Sequence, residues 1–288
     1  MKAAIVTDSN SGITQKQAEE AGIYVVPMPF MVDGETFYED LSLTHETFYE
    51  KQRAGADIST SQPSPADIID LWSRLLTEYD QVVYIPMSSS LSSSYQTALM
   101  LAEDFEGKVF VVNNQRISVT QRQSVLEAKD LADKGADGGE IKERLEAAGL
   151  DSSIYITVDT LEYLKKGGRI TPAAALLGSF LRIKPVLTIQ GGKLDAFAKA
   201  RTMKQAKSMM ITAIKKDMEE RFGDPEGLHT TINVAHTDNE AAAMEFKQEL
   251  RALFPGTGEI YVAGLPLSIC SHIGPGTLAV TCTKNMKI

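Results

Sequence analysis

Two clusters of hydroxyl side chains, Thr60-Ser61 and Ser92-Ser93-Ser94, each fall where an apolar strand pattern ends and a helical pattern begins. In doubly wound sheets ligands bind at such strand ends, and the free amides of a helix N-terminus favour an anion there. Either cluster alone reads more readily as an ordinary capped turn. Two of them on neighbouring strand ends would converge on one crevice. So many serines also suggest a nucleophile, but Gly-x-Ser-x-Gly is absent and no serine has a recognisable base beside it. A P-loop, a Gly-x-Gly-x-x-Gly fingerprint and a His/Glu metal spacing are missing too, so neither nucleotide nor metal catalysis has a motif to rest on.

Of the four histidines, His45, His229 and His236 fall on a polar helix, in a polar loop and at a strand end, where solvated or structural roles suffice. His272 differs. It stands in Ser271-His272-Ile273-Gly274-Pro275-Gly276, whose glycines and proline predict a tight loop holding the imidazole beside exposed backbone amides. A donor aimed at an anion and a loop histidine bonded to its own backbone both fit. Arg169, on the Gly167-Gly168 turn, and Arg201, just ahead of a long helical pattern, are further cations that surface solvation alone could explain.

The elements that must hold these residues alternate between strand and helix. Lys2–Thr7 reads as a buried strand running into Asp8-Ser9-Asn10-Ser11-Gly12, and Thr14 caps a helix to about Ala21. Ile23–Met28 is a second strand, and Phe30–Tyr38, broken at Asp33-Gly34, predicts a hairpin. Thr44 begins a helix, and Ser64-Pro65 pairs an N-cap with proline at the first helical position. Gln81–Pro86 and Val109–Val112 are further strands, with a helix from Tyr95 to Phe105 between them and two helices afterwards, separated near Gly135–Gly139. This grammar predicts a largely parallel sheet covered on both faces.

The pattern resets near Leu150. Strand Ile154–Val158, a short helix near Leu161, a Thr171-Pro172 cap, a hairpin across Gly191-Gly192, and a long helix from Thr202 to Phe222 follow. Strand Thr231–His236, a helix from Asn239 to Phe254 and strands near Ile260 and Leu278 complete an α+β half. The fold class expected is α/β, in two domains, 1–150 and 151–288.

Composition narrows the partners. Of 288 residues, 43% are hydrophobic and 23% charged, which fits ordinary folded domains. The net charge of -9 argues against nucleic acid. The start MKAAIVTDSN shows no signal peptide and no stretch is long and apolar enough to span a bilayer, so a cytoplasmic protein with at most transient, peripheral membrane contact is expected. Cys270 and Cys282 read as two reduced cysteines.

The chain resembles the DegV family, the fatty-acid-binding subunits of bacterial fatty acid kinase, along nearly its whole length. The matching stretches are Ala4–Ser9, Thr60-Ser61-Gln62-Pro63, Ser89-Ser90-Leu91-Ser92 with Tyr95-Gln96, Gly167-Gly168-Arg169-Ile170, Lys184-Pro185, Arg201-Thr202 and His272-Ile273-Gly274-Pro275-Gly276. The resemblance implies two α/β domains with a fatty acid between them, its chain in an apolar tunnel covered by the C-terminal domain. It implies a carboxylate held by Thr60, Ser61, Ser92 and the Ser93 amide, with Arg201 and His272 nearby, and Arg169 as a residue that docks the kinase. No cofactor is implied beyond the bound lipid, and the kinase would phosphorylate the carboxylate to an acyl-phosphate that feeds phospholipid synthesis. The chain itself is then a presenting subunit and not an enzyme.

Two departures from the family pattern stand out. Ser92-Ser93-Ser94 replaces Ser-Gly-Thr, so Ser93 must take the backbone a glycine supplies, with strain if that needs positive φ. Asn113-Asn114 replaces Asp-Ser, and Gln115–Gln123 lacks the usual small residues, which bears on the roof of the ligand site and on chain-length preference. The energetics suit the resemblance. Burying ~15 methylenes at ~0.8 kcal/mol each gives about 12 kcal/mol before binding costs, so the tail supplies affinity and the head group orientation. Two other readings remain: an α/β enzyme on a phosphorylated or carboxylated metabolite with His272 as general acid or base, and a lipid sensor with no kinase partner.

Overall fold

The computed structural model describes residues 1–39, 41–177 and 183–288. The chain forms two compact units. Unit 1 holds Met1–Leu150 with Pro266–Ser268 and Met286–Ile288, and unit 2 holds Asp151–Leu265 with Ile269–Asn285.

In unit 1 the order is β1 Ala3–Asp8, α1 Gln15–Ala21, β2 Tyr24–Val26, β3 Pro29–Val32, β4 Glu35–Tyr38, α2 His45–Arg53, β5 Ile58–Thr60, α3 Pro65–Leu75, β6 Gln81–Ile85, α4 Ser94–Ala102, β7 Val109–Val111, α5 Ser118–Asp133 and α6 Gly138–Ala147. A four-stranded parallel sheet runs β2-β1-β6-β7. Strand β1, Ala-Ala-Ile-Val-Thr-Asp, is buried on both faces, which is why it reads as an unbroken apolar run and not as an alternation. One face packs Ile5, Val83 and Ile85 against Val125 and Leu131 of α5 and Ile141 and Leu145 of α6. The other packs Val6, Val82 and Tyr84 against Ile68 and Trp72 of α3 and Ala98 of α4. A separate antiparallel sheet, β4-β3-β5, carries Phe30, whose ring packs on Phe37 and on Phe48 of α2.

Local chemistry sets the helix starts. Thr14 and Gln17 exchange side-chain bonds in a capping box at α1. Thr44 and Ser64 accept from the third helical amide of α2 and α3, with Pro65 opening α3.

From Asp151 onward the elements are β8 Ser152–Thr157, α7 Glu162–Gly167, α8 Pro172–Leu177, β9 Lys184–Ile189, β10 Asp195–Ala200, α9 Met203–Lys216, β11 Thr230–His236, α10 Glu240–Leu253, β12 Tyr261–Gly264, α11 Leu267–Ile273 and β13 Leu278–Lys284, all in unit 2 except the first two residues of α11, which belong to unit 1. The six strands of unit 2 run β10-β9-β8-β13-β11-β12, antiparallel except for the β11–β12 pair. Helices α9 and α10 bury Met210, Ile214, Phe246 and Leu250 on one face, against Tyr155, Val234 and Val280. The opposite face carries Ile154, Ile156, Leu187 and Ala279, which are also buried.

The helix expected from Thr202 to Phe222 changes form at its end. After α9 comes a π-helical turn, Asp217–Arg221. There buried Asp217 accepts from the Tyr155 hydroxyl at 2.7 Å and pairs with Arg221 at 2.9 Å. A five-residue bonding frame inserts into the helix without altering composition, so hydrophobic periodicity does not register it.

Candidate functional site

The two hydroxyl clusters belong to unit 1. Thr60 ends β5, where it pairs with Phe30, so the first cluster leaves the small antiparallel sheet and not the parallel one, as the sequence pattern had suggested. The next amide, Ser61, donates to the Pro29 carbonyl at 3.2 Å. The second cluster follows β6, as expected. Ser92 lies at the end of a turn whose Leu91 and Ser92 amides both donate to the Ser88 carbonyl, at 3.0 and 3.2 Å. Its own hydroxyl accepts the Ser94 amide at 3.1 Å, leading into α4.

A residue the sequence reasoning did not single out joins the clusters. The Gln62 side-chain carbonyl accepts from the Ser93 hydroxyl at 3.2 Å and from the Thr97 hydroxyl at 3.0 Å. The Thr60–Pro63 segment and the start of α4 are therefore tied by one amide. Gln62 stands inside the Thr-Ser-Gln-Pro stretch, so its motif was visible, but its partner lies 31 residues away. Ser93 takes φ -77°, ordinary right-handed backbone, so replacing a glycine there brings no strain. Its hydroxyl supplies a bond that a glycine could not make.

The segment after β7 is less relaxed. Gln115 and Ser118 hold positive φ, at 58° and 57°. The Asn114 side chain is fully buried, and neither its oxygen nor its nitrogen has a hydrogen-bond partner among the described residues. Strained backbone and unpaired buried amides gather at functional positions more than at structural ones.

The remaining site residues lie in unit 2. His272 is not in a loop: it occupies the last turn of α11, and the loop begins at Gly274, whose φ of 74° ends the helix. Leu267, Cys270 and Ile273, spaced by three, are all buried and define a helical face that the nearby glycines and proline obscured. The imidazole packs against Gly167, where a Cβ would lie 2.3 Å from Nδ1, so the Gly-Gly turn after α7 is what makes room for it. Burial, and secondarily the Arg169 guanidinium, lower the His272 pKa to about 4. At neutral pH the ring is therefore a neutral donor or acceptor and a weak base, not a cation. Arg169 also donates to the Gly167 carbonyl. Arg201 is exposed at the junction of β10 and α9, where its backbone amide donates to Gln205 at 2.8 Å.

Both cysteines are buried thiols outside any disulfide. Among the described residues no group of three or more His, Cys, Asp or Glu side chains is placed to hold a metal, and no helix is long and apolar enough to cross a membrane.

Comparison with known proteins agrees with this architecture. A DegV domain-containing protein of Deinococcus radiodurans is 32% identical over 281 residues, covering 97% of this chain and 98% of that one. The solved structure of a fatty-acid-binding DegV family protein from Thermus thermophilus superposes with a TM-score of 0.91 at 33% identity, over 99% of this chain and all of the other. DegV of Bacillus subtilis, a fatty acid binding protein, superposes at 0.87 with 28% identity, over 99% of this chain and 100% of its own. Residues 2–285 match the profile described as an uncharacterised protein, DegV family, and the chain belongs to that family.

Proposed function

We propose that this protein binds one long-chain fatty acid and presents its carboxylate to a fatty acid kinase, which phosphorylates it to an acyl-phosphate for phospholipid synthesis. The observation that carries the reading is the Gln62 bridge, which ties the segment bearing Thr60 and Ser61 to the start of α4, next to Ser92 and the Ser93 amide, so that donors from both segments can serve one anion. The fatty-acid-binding character of the Thermus thermophilus and Bacillus subtilis proteins, with folds matching over nearly the whole chain, supports the lipid as the ligand.

In this reading Thr60, Ser61, Ser92 and the Ser93 amide hold the carboxylate. His272 and Arg201 are assigned to the same head group, His272 as a neutral donor. A buried carboxylate without partners costs several kcal/mol, and hydrogen bonds to an ionised acceptor are the stronger kind, so donors of this number and type suffice to orient it. Domain 1–150 supplies the hydroxyl loops, and domain 151–288 covers the acyl chain. Arg169 docks the kinase. Phosphoryl transfer needs a nucleotide, a metal ion and residues to hold them, and the partner brings these; shielding the product from water is the contribution of this chain. We expect it to work in the cytoplasm, touching the membrane only transiently. The test is reconstitution: the lipid-loaded protein with a fatty acid kinase and ATP should yield acyl-phosphate, trapped as a hydroxamate, whereas free fatty acid at the same concentration should not.

A further inference from the structure

Strand β1 ends on a carboxylate that solvent does not reach. Asp8 is fully buried at the junction of β1 and β6, where the strand order of the parallel sheet reverses direction. Three N–H groups converge on it. The Met87 amide donates to Oδ2 at 2.8 Å, while the Asn10 amide and the Gln121 side chain donate to Oδ1 at 3.0 and 3.1 Å. The Asn10 side chain also reaches the Met87 sulfur at 2.9 Å.

Met87 is the root of the second hydroxyl cluster. The next amide, Ser88, is held by the Arg116 carbonyl at 2.8 Å, and the Ser88 carbonyl in turn takes the Leu91 and Ser92 amides. Pinning Met87 therefore sets the start of the turn from which Ser92 and Ser93 project. We propose that ionised Asp8 is a positioning residue for this anion-binding loop, so that capture of a carboxylate head group is linked to the protonation of a fully buried acid. The inference rests on the fatty acid reading given above.

The chemistry is directional. Each contact around Asp8 is a donor, so a protonated carboxyl would point its O–H at another N–H or lose one of the three bonds. Burial works the other way, because it disfavours charge. The balance leaves the Asp8 pKa raised to about 6, with desolvation the largest cause and the Met87, Gln121 and Asn10 bonds opposing it. From β6 the group whose titration feels Asp8 is Tyr84, whose own pKa is pushed well above 10 by burial and by the Asp8 charge. From α5 Asp8 faces Gln121, from the turn after β1 Asn10, and from β2 its register partner Val26, none of them ionisable. Acidification just below neutrality therefore protonates Asp8 and frees the Met87 amide.

The test uses the delipidated full chain and two probes with one tail: hexadecane-1-sulfonate, whose head stays ionised throughout, and hexadecan-1-ol, which carries no charge. Between about pH 8 and about pH 5, sulfonate affinity should fall severalfold with a midpoint near that of Asp8, while alcohol affinity stays level. Asp8→Asn should bind the sulfonate weakly and without pH dependence, and the alcohol normally. Gln121→Met, which removes one donor and leaves the carboxyl, should move the midpoint upward, and it decides the matter if Asp8→Asn fails to fold. A level sulfonate profile in the wild type, a wild-type profile in Asp8→Asn, or equal loss of both probes in that variant would overturn the proposal while leaving lipid binding intact. Failure of the wild type to bind either probe would overturn the fatty acid reading and this inference with it.

Discussion

Replacing Gln62 by Leu removes the acceptor shared by the Ser93 and Thr97 hydroxyls, at 3.2 and 3.0 Å, and leaves the rest of the Thr60–Pro63 segment in place. A neutral hydrogen bond of this kind contributes about 0.5–1.5 kcal/mol, and these two sit at a partly exposed surface, so a combined loss of about 1 kcal/mol is expected. That energy is spent on holding the two hydroxyl segments in register, so it should appear in head-group recognition and hardly at all in tail binding. The assay is calorimetric titration of hexadecanoic acid against its methyl ester, which keeps the chain and removes the charge. Gln62→Leu should bind the acid about fivefold more weakly and the ester unchanged. Gln62→Glu keeps both hydroxyl bonds but adds a negative charge beside the proposed anion, so it should lose more acid affinity than Gln62→Leu. If Gln62→Leu keeps the wild-type ratio of acid to ester affinity, the bridge does not organise the head-group site.

Truncating the donors themselves should act more strongly. In Thr60→Ala with Ser92→Ala, each lost bond to a charged group costs about 1–3 kcal/mol, so most of the preference for acid over ester should vanish with little change in thermal stability. The His272 pKa, lowered in the folded state to about 4, means that the unfolded chain binds a proton first as pH falls. The stability held by the neutral ring is therefore complete above about pH 6.5 and lost towards pH 4, by about 2 kcal/mol after discounting for its partial exposure, and His272→Gln should remove that share of the acid slope in denaturant titrations. Arg169→Ala should leave lipid affinity nearly intact and weaken kinase-coupled phosphorylation, and the reverse pattern would make Arg169 a ligand-binding residue.

The elements were legible where local chemistry and tertiary packing agree. Thr14, Thr44, Ser64 and Thr202 cap helices as their types announce, and the Asp33-Gly34 hairpin follows from its turn residues. Reading failed where a signal was short or shared. Strand β5 has three residues, too few to show alternation, and α11 has seven, with punctuating glycines and a proline just beyond its end. The hydroxyl clusters of the candidate site could be picked out by residue type. Gln62 and Asp8 could not be assigned their roles, because these depend on partners 31 and 79 residues distant that only the folded chain brings to them. The state of His272 was hidden for a similar reason: burial and a neighbouring arginine set its charge, and neither is a property of its own segment.

The most direct test of the central claim is organic extraction of the protein purified from cells, with mass spectrometry of the extract and of the intact native complex. The expected result is about one long-chain fatty acid per chain, released on denaturation. Correctly folded protein that yields no lipid, and takes none up from a supplied fatty acid, would contradict it.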